Sequence, residues 1–228
     1  MTVPASLTLN RDSGMLADDR GRVLDTTSMQ WRAEESAAAG EPVSPAQALH
    51  WLQRESGRPM RTPVAVIGTR EPTPAQSDAA ETIGRLLAEH GVTVLCGGRS
   101  GVMEDVCRGV AAAGGLSIGL LPDTEPEAAN RYVTVPIATG IGVARNALIA
   151  RAARCLVAIG GGYGTLSEIA FALQFGRPVF TLEGAPSVNG AMDCADPREA
   201  LDHVAHAILA VGNSPAGLGC TALGQPSS

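Results

Sequence analysis

The chain has 228 residues and a mass of 23.3 kDa, with 45% hydrophobic, 18% charged and 3% aromatic residues. That composition suits one α/β domain, or one domain with an appendage, and excludes global disorder. Seventeen basic residues against 23 acidic ones leave a formal charge of −6, and every one of the 17 is arginine. A nucleic-acid partner is therefore not expected. Without lysine there is also no Walker A contact, no Schiff base and no lysine general base, so any anion must be held by arginine or backbone N–H groups.

Residues 1–62 are rich in Asp, Arg, Ser and Glu. They read as an appendage packed on the main domain, with a hairpin across Asn10 to Gly21 and one helix from Ser44-Pro45-Ala46-Gln47 through Leu52. The start lacks a basic segment followed by an apolar one, and no run reaches about 18 apolar residues, so a soluble cytoplasmic protein with no membrane partner is expected.

From residue 63 to 211 short apolar runs alternate with amphipathic segments. The runs are PVAVIG (63–68), VTVLCGG (92–98), LSIGLLP (116–122), RYVTVP (131–136), RCLVAIGGG (154–162) and PVFTL (178–182). Their apolar residues are continuous rather than alternating, as in strands buried on both faces. Thr73-Pro74-Ala75-Gln76 is a capping box that opens a helix ended by Gly91, and Asp196-Pro197-Arg198-Glu199 opens the last helix likewise. The fold class this predicts is α/β, a Rossmann-like doubly wound parallel sheet with helices on both faces, plus the small N-terminal appendage. Residues 212–228 read as a loose tail. Five cysteines, Cys96, Cys107, Cys155, Cys194 and Cys220, are odd in number and contain no CxxC pair. Neither a disulfide framework nor a metal site is expected from them.

In such a sheet, ligands bind beyond the carboxyl ends of the strands. Three segments there are dense in glycine: Gly97-Gly98-Arg99-Ser100-Gly101-Val102-Met103-Glu104, Gly140-Ile141-Gly142-Val143-Ala144-Arg145-Asn146, and Gly160-Gly161-Gly162-Tyr163-Gly164-Thr165-Leu166-Ser167-Glu168. Glycine lets backbone approach a ligand, and the following helix start supplies free N–H groups, which together make a seat for a phosphate. Thr165 adds a hydroxyl, while Arg145 and Arg99 are nearby cations. Two readings of Glu168 stand at this point, a site carboxylate or the far end of a Thr165-x-x-Glu168 capping box, and Arg145, read first as a site cation, has a surface residue as its alternative. A dinucleotide-binding GxGxxG is missing after the first strand, where Gly68 is followed by Thr69-Arg70-Glu71-Pro72.

Taken together and in this order, GGRSGVME (Gly97 to Glu104), GIGVARN (Gly140 to Asn146) and GGYGTLSE (Gly161 to Glu168) resemble the LOG-like nucleotide-binding superfamily, formerly called lysine decarboxylases, and within it the molybdenum-cofactor carrier branch. The resemblance implies a Rossmann-like homo-oligomer, dimer or tetramer, that binds a small phosphate-bearing ligand. It implies ligand contacts from Gly97, Gly98, Arg99, Ser100, Gly101, Asn146, Gly161, Gly162, Tyr163, Gly164 and Thr165. In the LOG branch, nucleoside 5′-monophosphate phosphoribohydrolases release free base and ribose 5-phosphate, and Glu168 and Arg145 correspond to their catalytic glutamate and arginine. Here Gly160, Asn146 and Glu104 replace that pattern's proline, lysine and glycine. The replacements resemble the carrier branch, which implies the molybdenum cofactor as cargo and no other cofactor.

Overall fold

The computed structural model describes residues 6–34 and 40–209. The segment expected to form a loose tail, 212–228, lies outside them.

The N-terminal part is more elaborate than one hairpin and one helix. Five short strands, β1 (Leu7–Asn10), β2 (Met15–Asp18), β3 (Arg22–Asp25), β4 (Gln30–Ala33) and β5 (Glu41–Val43), form an antiparallel sheet ordered β4-β3-β2-β1-β5. Side chains build its turns. Asp18 Oδ1 accepts from the N–H groups of Arg20 and Arg22, with Gly21 at φ 70°, and Asp25 Oδ1 accepts from the N–H of Thr27. One face presents Leu7, Leu9, Leu16 and Leu24, all buried in the core. Helix α1 (Pro45–Arg54) follows its capping box, in which Ser44 Oγ accepts from Gln47 N–H and the Gln47 side chain accepts from Ser44 N–H.

Then the alternation begins: β6 (Val64–Gly68), α2 (Pro74–Glu89), β7 (Val94–Cys96), α3 (Val102–Ala112), β8 (Ser117–Leu121), β9 (Val135–Ala138), α4 (Asn146–Ala152), β10 (Leu156–Ile159), α5 (Tyr163–Gln174), β11 (Val179–Leu182), β12 (Met192–Asp193) and α6 (Pro197–Leu209). The seven strands are parallel, in the order β12-β11-β10-β6-β7-β8-β9. Both predicted caps are present: Thr73 and Gln76 bond reciprocally, and Asp196 Oδ1 accepts from Arg198 and Glu199 N–H. Strand β9 starts at Val135 instead of Arg131 because Asn130 first turns the chain, its Oδ1 accepting from Tyr132 N–H and its carbonyl from Val133 N–H.

Successive residues of each strand serve opposite faces. Val64, Val66 and Val94 pack with Ile83, Leu87, Val106 and Val204 under α2, α3 and α6. Ala65, Ile67 and Leu95 pack with Ile149 and Ile169 under α4 and α5. The N-terminal sheet joins the first of these cores, and Trp31 Nε1 donates to the Leu209 carbonyl at 2.8 Å. The chain runs outward from β6 to β9 and then returns to lay β10 on the other side of β6. This reversal opens a crevice at the carboxyl ends of β6 and β10.

Candidate functional site

At that crevice lies a cleft of about 320 Å³, floored by Ile67 and Gly68 and walled by Arg70, Met103, Val143, Arg145, Gly162, Thr165 and Glu168. The glycines that form it serve two purposes. Gly97, Gly98 and Gly101 have no room for a Cβ: one at Gly101 would fall 2.6 Å from Arg70 Cα, and one at Gly98 would fall 2.8 Å from Leu121 Cδ2. These allow β7, α3 and the Arg70 loop to close up. Gly162 and Gly164 differ, because a Cβ at either meets nothing within 4 Å and the space beside them belongs to the cleft. Gly160 and Gly161, at φ 53° and 118°, turn the chain into Gly162, the N-cap of α5. The α5 start therefore points unpaired N–H groups and the positive end of its dipole at the cleft.

Arg145 and Glu168 are both buried, at 5% and 6% exposure, and Arg145 Nη1 donates to Glu168 Oε1 at 3.0 Å. This excludes both the surface reading of Arg145 and the capping-box reading of Glu168. Helix α5 starts at Tyr163, so Thr165 lies inside it, and the cap carries no side-chain hydrogen bond. Arg145 also donates to Asn146 Oδ1 and the Gly97 carbonyl, while Asn146 Nδ2 donates to the Gly164 carbonyl and Ser167 Oγ. Burial pushes the Glu168 carboxyl up to about 7 against the opposing pull of Arg145, and burial lowers the Arg145 guanidinium. Arg145 Nε is buried without a hydrogen-bond partner.

The Arg145 charge is thus largely spent on Glu168, so the cation that faces the cleft in excess is Arg70. Arg70 is exposed, forms no ion pair among the described residues, and depresses Arg145 by charge repulsion. No local pattern in the sequence marks it: Thr69-Arg70-Glu71-Pro72 after the first strand carries none of the glycines of a dinucleotide-binding turn. Of the expected site residues, Arg145, Asn146, Gly162, Gly164, Thr165 and Glu168 line this cleft. Tyr163 stands 93% exposed. Arg99 and Ser100 instead line an adjoining cleft of about 400 Å³ with Arg70, Glu104, Ala128, Ala129 and Asn130. There Arg99 Nη2 lies 3.4 Å from Asp123 Oδ1.

A parallel sheet with its cleft at the switch point and a glycine-lined helix start over it defines a Rossmann-like, LOG-type protein. The chain belongs to the SLOG cluster4 family, whose model matches residues 61–208. Its structure is similar to that of the molybdenum cofactor binding protein from Rippkaea orientalis, with a TM-score of 0.60 and 33% identity over 64% of this chain and 96% of that one. It is likewise similar to the molybdenum cofactor carrier protein from Chlamydomonas reinhardtii, with a TM-score of 0.59 and 32% identity over 65% of this chain and 99% of that one. A cytokinin riboside 5′-monophosphate phosphoribohydrolase from Arabidopsis thaliana is 35% identical over 96 residues, 41% of this chain and 42% of the relative, so the chain spans less than half of that relative's length. The resemblance read from the three motifs, to the LOG-like superfamily with its carrier branch, is borne out. Among the described residues no helix is long and apolar enough to cross a membrane.

Proposed function

We propose that the cleft over β6 and β10 is the seat of a phosphate-bearing ligand and that the protein binds and carries it, with the pterin phosphate of the molybdenum cofactor as cargo. The phosphate would rest on the N–H groups of α5 beside Gly162, Gly164 and Thr165, with Arg70 supplying the charge. One observation carries the choice of carrier over hydrolase: the Glu168 carboxylate is occupied by Arg145, and the residue beside Arg145 is Asn146, an amide committed to clamping α5. A carboxylate tied in this way is poorly placed to stabilise an oxocarbenium-like sugar, and Asn146, unlike the lysine it replaces, brings no second cation beside Arg145 to meet a leaving base. A carrier needs only affinity and shelter.

The hydrolase reading is favoured by one feature, the elevation of Glu168 to about 7, which suits proton transfer near neutrality. Incubation of wild type and Glu168→Gln with a panel of nucleoside 5′-monophosphates, followed by chromatography for free base, separates the two. The carrier reading expects no base from any member. Release by wild type that vanishes in Glu168→Gln would overturn it and make Glu168 the catalytic carboxylate. We also read the protein as a homo-oligomer, since Ile141, Val143 and Leu148 leave apolar surface exposed beside the cleft. A reducing cytoplasm suits the buried free thiols of Cys96, Cys107, Cys155 and Cys194.

A further inference from the structure

The adjoining cleft has no part in the phosphate seat, yet the two share Arg70 as a common wall. Its lining is chemically mixed. Ala128 and Ala129 give a small apolar surface, Arg70 a planar guanidinium of the kind that stacks on flat rings, and Glu104 a carboxylate. Glu104 sits in the first turn of α3, half-buried, and forms no ion pair among the described residues. Of the other polar groups of the cleft, Arg99 lies against Asp123 and Asn130 Nδ2 donates to the carbonyls of Gly98 and Arg99, while Arg70 and Ser100 share the wall with Glu104. As a first-turn acid Glu104 complements the α3 dipole, but no side chain caps that helix, and the backbone N–H groups of Glu104 and Asp105 already bond the Gly101 carbonyl. What the cleft offers is an acceptor-only group at the edge of a slot for a flat ring.

We propose that this cleft is the heterocycle subsite, in which Glu104 accepts the adjacent ring N–H and exocyclic NH₂ of an aminopyrimidinone, while the phosphate of the same ligand rests on α5. This rests on the phosphate-seat reading and narrows its ligand class. Pterins and guanine carry that donor pair; adenine and hypoxanthine do not. A carboxylate presents two acceptor oxygens to two parallel donors, so the match is bidentate and charge-assisted. Arg70, common to both clefts, would lie between phosphate and ring and touch each. Its backbone is held for this position, with the Thr69 carbonyl accepting from Val102 N–H and Gly101 packed against Arg70.

The test is calorimetric titration of guanosine 5′-monophosphate and inosine 5′-monophosphate, which differ only by the exocyclic NH₂, into wild type and Glu104→Gln. Wild type is expected to prefer the guanosine nucleotide by about tenfold or more, the scale of one charge-assisted hydrogen bond. In Glu104→Gln that preference should shrink to within about twofold, with affinity for the guanosine nucleotide falling further than that for the inosine nucleotide, which offers Glu104 only the ring N–H. Glu104→Ala, which keeps no polar atom in the slot, should behave alike and guards against a glutamine that finds its own contacts. Equal binding of the two nucleotides by wild type, or a preference that survives both substitutions, overturns the subsite and leaves the phosphate seat standing. If wild type binds neither nucleotide, the seat itself fails and the subsite with it.

Discussion

Glu168 is the residue whose environment and chemistry are most tightly linked. Its carboxyl is buried and raised from 4.5 to about 7, by desolvation against the opposing pull of Arg145. A carboxyl raised in the folded state holds its proton longer than it does in the unfolded chain. Its contribution to stability is therefore fully present below pH 4.5 and is lost as the pH rises to about 7. Glu168→Gln removes that titration. The unfolding free energy of wild type minus that of Glu168→Gln should fall by about 3 kcal/mol from pH 4 to pH 8, as read from denaturant unfolding. A difference that is flat across that window would mean that Glu168 titrates normally. The pair was legible as two residue types in two motifs. Their mutual engagement was not, because 23 positions separate Arg145 from Glu168 in sequence. Arg70 was illegible for a related reason: its meaning depends on β10 lying beside β6, a long-range pairing that no local pattern encodes.

At the scale of elements, what could be read was what local chemistry dictates. Ser44 with Gln47 and Thr73 with Gln76 are capping boxes in sequence and in structure, and the continuous apolar runs of β6, β7, β8, β10 and β11 became central strands. The strands β3, β4 and β5 could not be read so, being three or four residues long and mostly exposed or half-buried. The start of α3 shows how a turn and a packing demand coincide. Gly101 sits at φ 74°, and a Cβ there would meet the Arg70 backbone. Gly101→Ala should therefore destabilise the fold by about 2 kcal/mol or more, the left-handed strain adding to the displacement of Arg70. Thermal unfolding checks this, and a variant as stable as wild type would mean that the Arg70 loop is not locked.

Over the whole molecule, the reversal of strand order puts the carboxyl ends of β6 and β10 side by side, and the motifs that were separate in sequence converge on one edge of the sheet. The same convergence explains why two kinds of glycine occur there. Those of the GGRSG segment are filled in by protein, while Gly162 and Gly164 leave space facing the cleft. The central claim is that a ligand's phosphate takes up that space. Calorimetric titration of a pterin monophosphate into wild type and Gly162→Val tests it most directly. We predict saturable binding by wild type and a loss of roughly tenfold or more in Gly162→Val, with the fold kept because φ at Gly162 is −127° and a Cβ there meets nothing within 4 Å. Equal affinity in the two proteins would contradict the account and place the ligand elsewhere.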